Sequence, residues 1–131
     1  VVYAGTESET KRHGREMGLN MDREIHADVR ETAYIRYRYP DLFKAQSAPL
    51  PPVHIDVEAG MRKGMKTFRQ MGAQMGYLGT PEAATEALGR LHLEENARLA
   101  ADLALKLVRN EELPQISPKL KAFFDKHVQL D

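Results

Sequence analysis

The segment from Asp28 to Pro40 carries both a start signal and a stop signal for a helix. Asp28, with Glu31 three residues later, follows the capping-box pattern, in which both side chains bind backbone N–H groups at the first turn. Pro40 disfavours helical geometry in the preceding residue, so the helix is predicted to end at about Tyr39. The stretch therefore predicts a short, capped helix, around which its neighbours must pack.

Three further helices are predicted from local patterns. Thr80-Pro81-Glu82 is a strong helix start, with Thr as N-cap and Pro at the first helical position, and the helix can continue to about Arg109. The charged run from Glu7 to Met17 predicts an exposed helix or helical loop that is broken near Gly14 and ends near Gly18. Ser117-Pro118 repeats the start signal for a last amphipathic helix, Lys119 to about Val128.

Few strands are visible in the sequence. Val1 to Ala4 is an apolar run without alternation, which predicts a strand that is buried on both faces. Val53 to Val57 alternates apolar and polar residues, which predicts a brief strand or an extended arm. The strand-like opening also predicts that part of the domain precedes residue 1. The chain is thus predicted to be helix-rich α/β.

Composition excludes several classes of partner. The 131 residues suffice for about one domain, and 19 basic and 19 acidic side chains cancel, so no net charge attracts nucleic acid or an anionic membrane. There is no cysteine, so a metal would need His, Asp or Glu ligands, and this composition fits the reducing cytoplasm. No apolar run approaches the roughly 20 residues of a membrane helix.

His26 and Glu31 are the candidate site residues. His26 lies just before a helix N-terminus, where partial positive charge disfavours the imidazolium form and favours a neutral base or ligand. The helix turn could bring Glu31 to the same pocket rim. Each residue has a simpler interpretation: His26 as a surface or hydrogen-bonded histidine, and Glu31 as the reciprocal half of the capping box.

Two motifs carry a family resemblance. His26-Ala27-Asp28-Val29-Arg30-Glu31-Thr32, followed by Tyr39-Pro40-Asp41-Leu42-Phe43, resembles the H-A-G-x-x-E-T-S and R-P-D-L-V signature of the creatininase (creatinine amidohydrolase) family. The stretch from Gly76 to Gly89 resembles the G-x-x-G-D-P-x-x-A-T-x-x-x-G of the same family, in the same order. Asp28 stands where the family has Gly, and Thr80 where it has Asp.

The resemblance implies a metal-dependent hydrolase that cleaves C–N bonds of cyclic or linear amides. It implies a three-layer α/β/α sandwich, a cytoplasmic homo-oligomer, often a hexamer, and a divalent metal, Zn or Mn, that polarises the substrate carbonyl and activates a water. By motif position, His26 would be the general acid or base, and Glu31 the carboxylate of the same catalytic site. The expected partner is a small-molecule substrate, with no nucleic acid and no membrane.

The resemblance covers only the C-terminal portion of the family domain. The family's main metal-binding motifs, E-Q-H-G-x-H-L-P-L-x-T-D and N-x-H-G-G-N, do not occur in residues 1–131. The metal ligands are therefore expected mostly outside this chain, which alone would be inactive. The chain has no tryptophan, which lowers the expectation of creatinine as substrate. Two alternatives stay open: a hydrolase of a cyclic polyol-derived ketone or lactone, and a non-catalytic binding or assembly module.

Overall fold

The computed structural model describes residues 8–42 and 49–115, together with 118 and 121–122. These residues form helices α1 (Glu9–Glu16), α2 (Val29–Arg38), α3 (Val57–Arg62) and α4 (Glu86–Val108). Short 3-10 turns lie at Met21–Arg23, Pro40–Leu42 and Pro81–Ala83. Lys121 and Ala122 are also helical, and most of the predicted last helix lies outside the described residues.

The described part of the chain is helix-rich, as predicted, and its β pairing consists of two isolated antiparallel bridges. One joins His26 to Leu78, and the other joins Val53 to Gly79. The extended arm is therefore the correct interpretation of Val53 to Val57, since α3 already begins at Val57. The predicted strand at Val1 to Ala4 lies outside the described residues, and the three-layer α/β/α sandwich stays a prediction.

The capped helix α2 forms as the sequence predicts. The Asp28 carboxylate accepts from the backbone N–H groups of Arg30 and Glu31, at 2.7 and 3.3 Å. The helix ends at Arg38, with Tyr39 as its C-cap. Its inner face is completely buried at Val29 and Ala33 (0% exposed).

The predicted start of the long helix at Thr80 is wrong. Pro81–Ala83 forms only a 3-10 turn, Ala84 is extended, and α4 begins at Glu86. Thr85 is the true N-cap, since its hydroxyl accepts from the Leu88 N–H at 3.1 Å. The Thr80 hydroxyl makes no capping bond and instead donates to Glu24.

The core lies where α2 and α1 pack against the first half of α4. Its buried cluster consists of Met21, Val29, Ala33, Ala84 and Leu88. Gly89 makes the closest approach: a Cβ atom built on it would lie 2.0 Å from the carbonyl oxygen of Ala33. Only glycine lets the backbones of α2 and α4 come this close, and this contact fixes the position of α2 on α4.

Helix α1 is continuous through Gly14, so the predicted break there is wrong. Gly14 is buried because Met21 packs against it. The free energy of this packing offsets the unfavourable helix propensity of glycine. The helix ends before Gly18, which adopts φ +81°. A Cβ atom at position 14 would overlap the sulfur of Met21, so this packing requires glycine there.

Glu95 on α4 accepts hydrogen bonds from the N-terminus of α1 and so holds the two helices together. Its carboxylate accepts from the backbone N–H groups of Glu9 (2.8 Å) and Thr10 (3.1 Å), and from the hydroxyls of Ser8 (2.9 Å) and Thr10. Burial acts to raise the pKa of Glu95, but these hydrogen bonds together outweigh it and lower the pKa below its ordinary value of 4.5. The charged form is thus the form that the fold stabilises.

The lowered pKa of Glu95 predicts a specific loss of stability in acid. The stabilisation is complete above the ordinary carboxyl pKa of 4.5, and is lost as the pH falls through the lower folded-state pKa. In urea unfolding between pH 7 and pH 3, Glu95→Gln should therefore flatten the decline in stability with pH. Glu94→Gln, at an exposed neighbour 3.9 Å from Arg90, should leave the pH profile unchanged. A parallel decline in Glu95→Gln and the parent would contradict this role.

Candidate functional site

His26 is held through its backbone, while its side chain is exposed. The Leu78 N–H donates to the His26 carbonyl at 2.7 Å, and the His26 N–H donates back to the Leu78 carbonyl at 3.2 Å. The imidazole packs at a tilt against Phe68, with 5.6 Å between ring centroids. The ring is therefore presented at the surface from a fixed backbone position, and a proton donor or acceptor needs such access.

Glu31 takes part in the cap of α2, as the simpler interpretation predicts. One carboxylate oxygen, Oε2, accepts from the backbone N–H of Ala27, the residue before the N-cap. Ala27 has φ +45°, in the left-handed region that a non-glycine residue rarely adopts, and this bond helps hold it there. The capping role is thus observed, and the catalytic role of Glu31 stays a prediction.

Glu24 is a buried carboxylate that the sequence does not reveal. It is 5% exposed and accepts from the Val29 N–H (3.0 Å), the Thr80 N–H (3.0 Å) and the Thr80 hydroxyl (2.6 Å). Gly79 packs directly on this carboxylate, because a Cβ there would lie 2.2 Å from Oε2. Glu24 follows Asp22 and Arg23 in a polar run, and nothing local distinguishes it from a solvated residue.

Asp28, which is buried, and Arg30, which is partly exposed, form an ion pair beside Glu24. Asp28 is 1% exposed, and the Arg30 guanidinium reaches it through Nε (3.1 Å) and Nη2. Nη2 also donates to the carbonyl of Glu24 at 2.7 Å. Burial acts to lower the pKa of Arg30, but the hydrogen bond and charge of Asp28 outweigh it and raise the pKa. This pair is the physical consequence of having Asp at position 28.

The two sequence motifs therefore form one structural unit. The His26–Leu78 bridge pairs their backbones, and the Glu24 carboxylate bonds to both the start of α2 and the turn at Thr80. Arg36 adds a hydrogen bond of 2.9 Å to the carbonyl of Ala84. The first motif and the turn at Thr80, more than fifty positions apart in sequence, are therefore held together, and His26 lies at the edge of this unit.

A groove between α2 and α4 is lined by Glu31 and by a second histidine, His92. Glu31, Tyr34 and Ile35 of α2 face His92, Leu93 and Asn96 of α4 across a volume of about 280 Å³. His26 is not among these lining residues. His92 thus lines the same groove as Glu31, and no sequence pattern distinguishes this histidine from the others.

A divalent metal does not fit the side chains described here. Within residues 8–42 and 49–115, no group of three or more His, Asp or Glu residues could hold a metal ion. Three protein ligands are the usual minimum for a catalytic zinc site. The expectation that the ligands lie mostly outside this chain therefore stands as a prediction, and no ligand is assigned to His26 or Glu31.

Comparison with known proteins identifies no relative. No protein family, curated protein or solved structure matches the chain. Among the described helices, none is both long enough and apolar enough to cross a membrane.

Proposed function

We propose that this chain is the C-terminal portion of a hydrolase of the creatininase type, which acts on C–N bonds of cyclic or linear amides. The expected protein is a cytoplasmic homo-oligomer with a divalent metal, Zn or Mn, whose ligands lie mostly outside residues 1–131. One observation supports the proposal most strongly. The two motifs that resemble this family are joined through the His26–Leu78 bridge and the Glu24 carboxylate.

The chain's own contribution would be proton transfer by His26. Hydrolysis breaks the C–N bond, joins a water oxygen to the carbonyl carbon, and requires a proton on the leaving nitrogen. His26 has an exposed ring on a fixed backbone, and imidazole is the side chain that most often transfers protons as a general acid or base. Glu31 lies in the first turn of α2, where it holds Ala27 and thereby the backbone next to His26.

The proposal is tested on the full-length protein with Mn²⁺ or Zn²⁺ in the buffer. Cyclic amides, linear amides, and cyclic polyol-derived ketones or lactones are screened separately for hydrolysis. Turnover of amides supports the proposal as stated, and turnover confined to ketones or lactones moves the substrate to that class. A folded protein that turns over none of these classes with either metal would favour a non-catalytic binding or assembly module.

On the preferred substrate, His26→Ala should lower kcat by about 10²–10⁴, the usual contribution of a general acid or base. The fold should stay intact by circular dichroism, because the His26 side chain is exposed and its backbone pairing with Leu78 does not need the ring. His13→Ala is the matched control, on the surface of α1 beside Glu16. An unchanged kcat in His26→Ala would remove this residue from the mechanism.

A further inference from the structure

The groove between α2 and α4 has the size and lining of a small-molecule site. Its volume of about 280 Å³ is close to the lower limit of typical ligand pockets, roughly 300 Å³. Ile35 and Leu93 line it with aliphatic side chains, and Tyr34 adds an aromatic ring. The polar groups are the Glu31 carboxylate, the His92 imidazole and the Asn96 amide.

The charge balance of this groove favours a cation. Glu31 carries the one formal charge among the six lining residues. The positive charge of Arg30 is held mainly by its ion pair with Asp28, although it also acts on Glu31. A cation in the groove would pair with the Glu31 carboxylate, whereas an anion would be repelled by it and a neutral ligand would gain no ion pair.

Asn96 presents a further acceptor to the same space. Its amide nitrogen donates to the His92 carbonyl at 2.7 Å, which leaves the amide oxygen to accept from another donor. Burial, followed by the positive charge of Arg30, lowers the pKa of His92, so its ring is neutral at pH 7, and the Asn96 amide nitrogen lies 3.1 Å from its Nδ1. Two acceptor side chains, Glu31 and Asn96, thus border an otherwise apolar groove.

We propose that this groove binds a small organic amine in its protonated form. An ammonium group has three N–H donors, of which two can bond to the acceptors of Glu31 and Asn96 while the third faces water. The hydrocarbon part of the ligand would lie against Ile35 and Leu93. This site does not include His26, although it shares Glu31 with the cap next to His26, and its test measures binding and not hydrolysis.

The test is a titration of the full chain with benzylamine at pH 7, followed by the backbone amide signals in NMR. Benzyl alcohol and benzoate, which have a similar shape but no positive charge, are titrated in parallel. Benzylamine should shift the signals of the six lining residues, and the two comparison compounds should bind at least about tenfold more weakly, since a hydrogen bond to a charged group is worth roughly that factor. Equal binding of all three compounds would overturn the proposal.

Two variants and a control locate the site. Glu31→Gln should weaken benzylamine about tenfold, yet keep the cap, because a glutamine oxygen can still accept from Ala27. Ile35→Trp should fill the groove and abolish binding; Ile35 is 38% exposed, so the larger side chain is tolerated. Glu94→Gln removes an exposed carboxylate of α4 outside the groove and should change nothing. Unchanged benzylamine binding in Glu31→Gln or in Ile35→Trp would show that the groove is not the site.

Discussion

Gly89→Ala should unfold a large fraction of the protein under conditions in which the parent is stable. The new methyl carbon would lie 2.0 Å from the Ala33 carbonyl oxygen, 2.5 Å from its carbonyl carbon and 3.0 Å from the Tyr37 Cβ. Two of these atoms are backbone atoms of α2, so neither can move without shifting the whole helix. We expect a loss of about 3 kcal/mol or more, a large part of the total stability of a small domain, which is about 5–15 kcal/mol.

The measurement is urea unfolding followed by circular dichroism, with Gly60→Ala as the matched control. Gly60 lies in α3, and a Cβ there would meet the Met71 side chain at 2.7 Å. Met71 is flexible and only partly buried, so it can move aside, and alanine adds helix propensity of about 1 kcal/mol. The same substitution should thus be costly at position 89 and nearly neutral at position 60. Similar effects at both positions would contradict the close packing of α2 on α4.

The sequence predicts elements whose determinants are local. The cap and the length of α2 depend on Asp28, Glu31 and Pro40, which lie within the helix or next to it, and the structure agrees with all three signals. Thr80-Pro81 shows where such reasoning stops. Its start signal is as strong by local criteria, but the Thr80 hydroxyl bonds to Glu24, 56 positions away, and α4 begins six residues later. A distant acceptor has overridden a local capping preference.

The same distinction explains which site residues the sequence missed. Glu95 binds the N-terminus of α1, 85 positions earlier, and no local pattern in α4 indicates this contact. Glu24 and His92 likewise take their surroundings from elements that are distant in sequence. His26 and Glu31 could be singled out because they belong to a contiguous motif. In the part of the chain that the structure describes, the groove between α2 and α4 is lined by Glu31 together with His92 and not by His26.

Glu24→Ala should be the most damaging single substitution at the candidate site. It would leave the Val29 N–H, the Thr80 N–H and the Thr80 hydroxyl without their acceptor in an environment where Glu24 is 5% exposed. A buried donor left unsatisfied costs about 1–3 kcal/mol, so the loss should reach about 3 kcal/mol or more. The connection between the two motifs would be lost together with the stability.

Glu24→Gln separates the hydrogen bonds from the charge. Its amide oxygen, placed where Oε2 lies, can still accept from Val29 and Thr80, and its amide nitrogen can donate to the Thr80 hydroxyl with that hydroxyl reversed. This variant should therefore retain most of the stability that Glu24→Ala loses. Glu58→Ala, which removes an exposed carboxylate paired with Arg62, controls for the loss of a glutamate and should have little effect.

Hydrogen exchange at the two backbone amides gives the sharpest measurement of this connection. In the parent, the amides of Val29 and Thr80 should be protected, because the Glu24 carboxylate accepts from both at 3.0 Å. In Glu24→Ala, both amides should exchange faster by a larger factor than the helical amides within α4, whose hydrogen bonds do not involve Glu24. In Glu24→Gln, both should stay protected. Equal acceleration at all measured amides would mean that Glu24 contributes only to global stability. Faster exchange confined to these two amides would show that Glu24 connects α2 to the turn before α4.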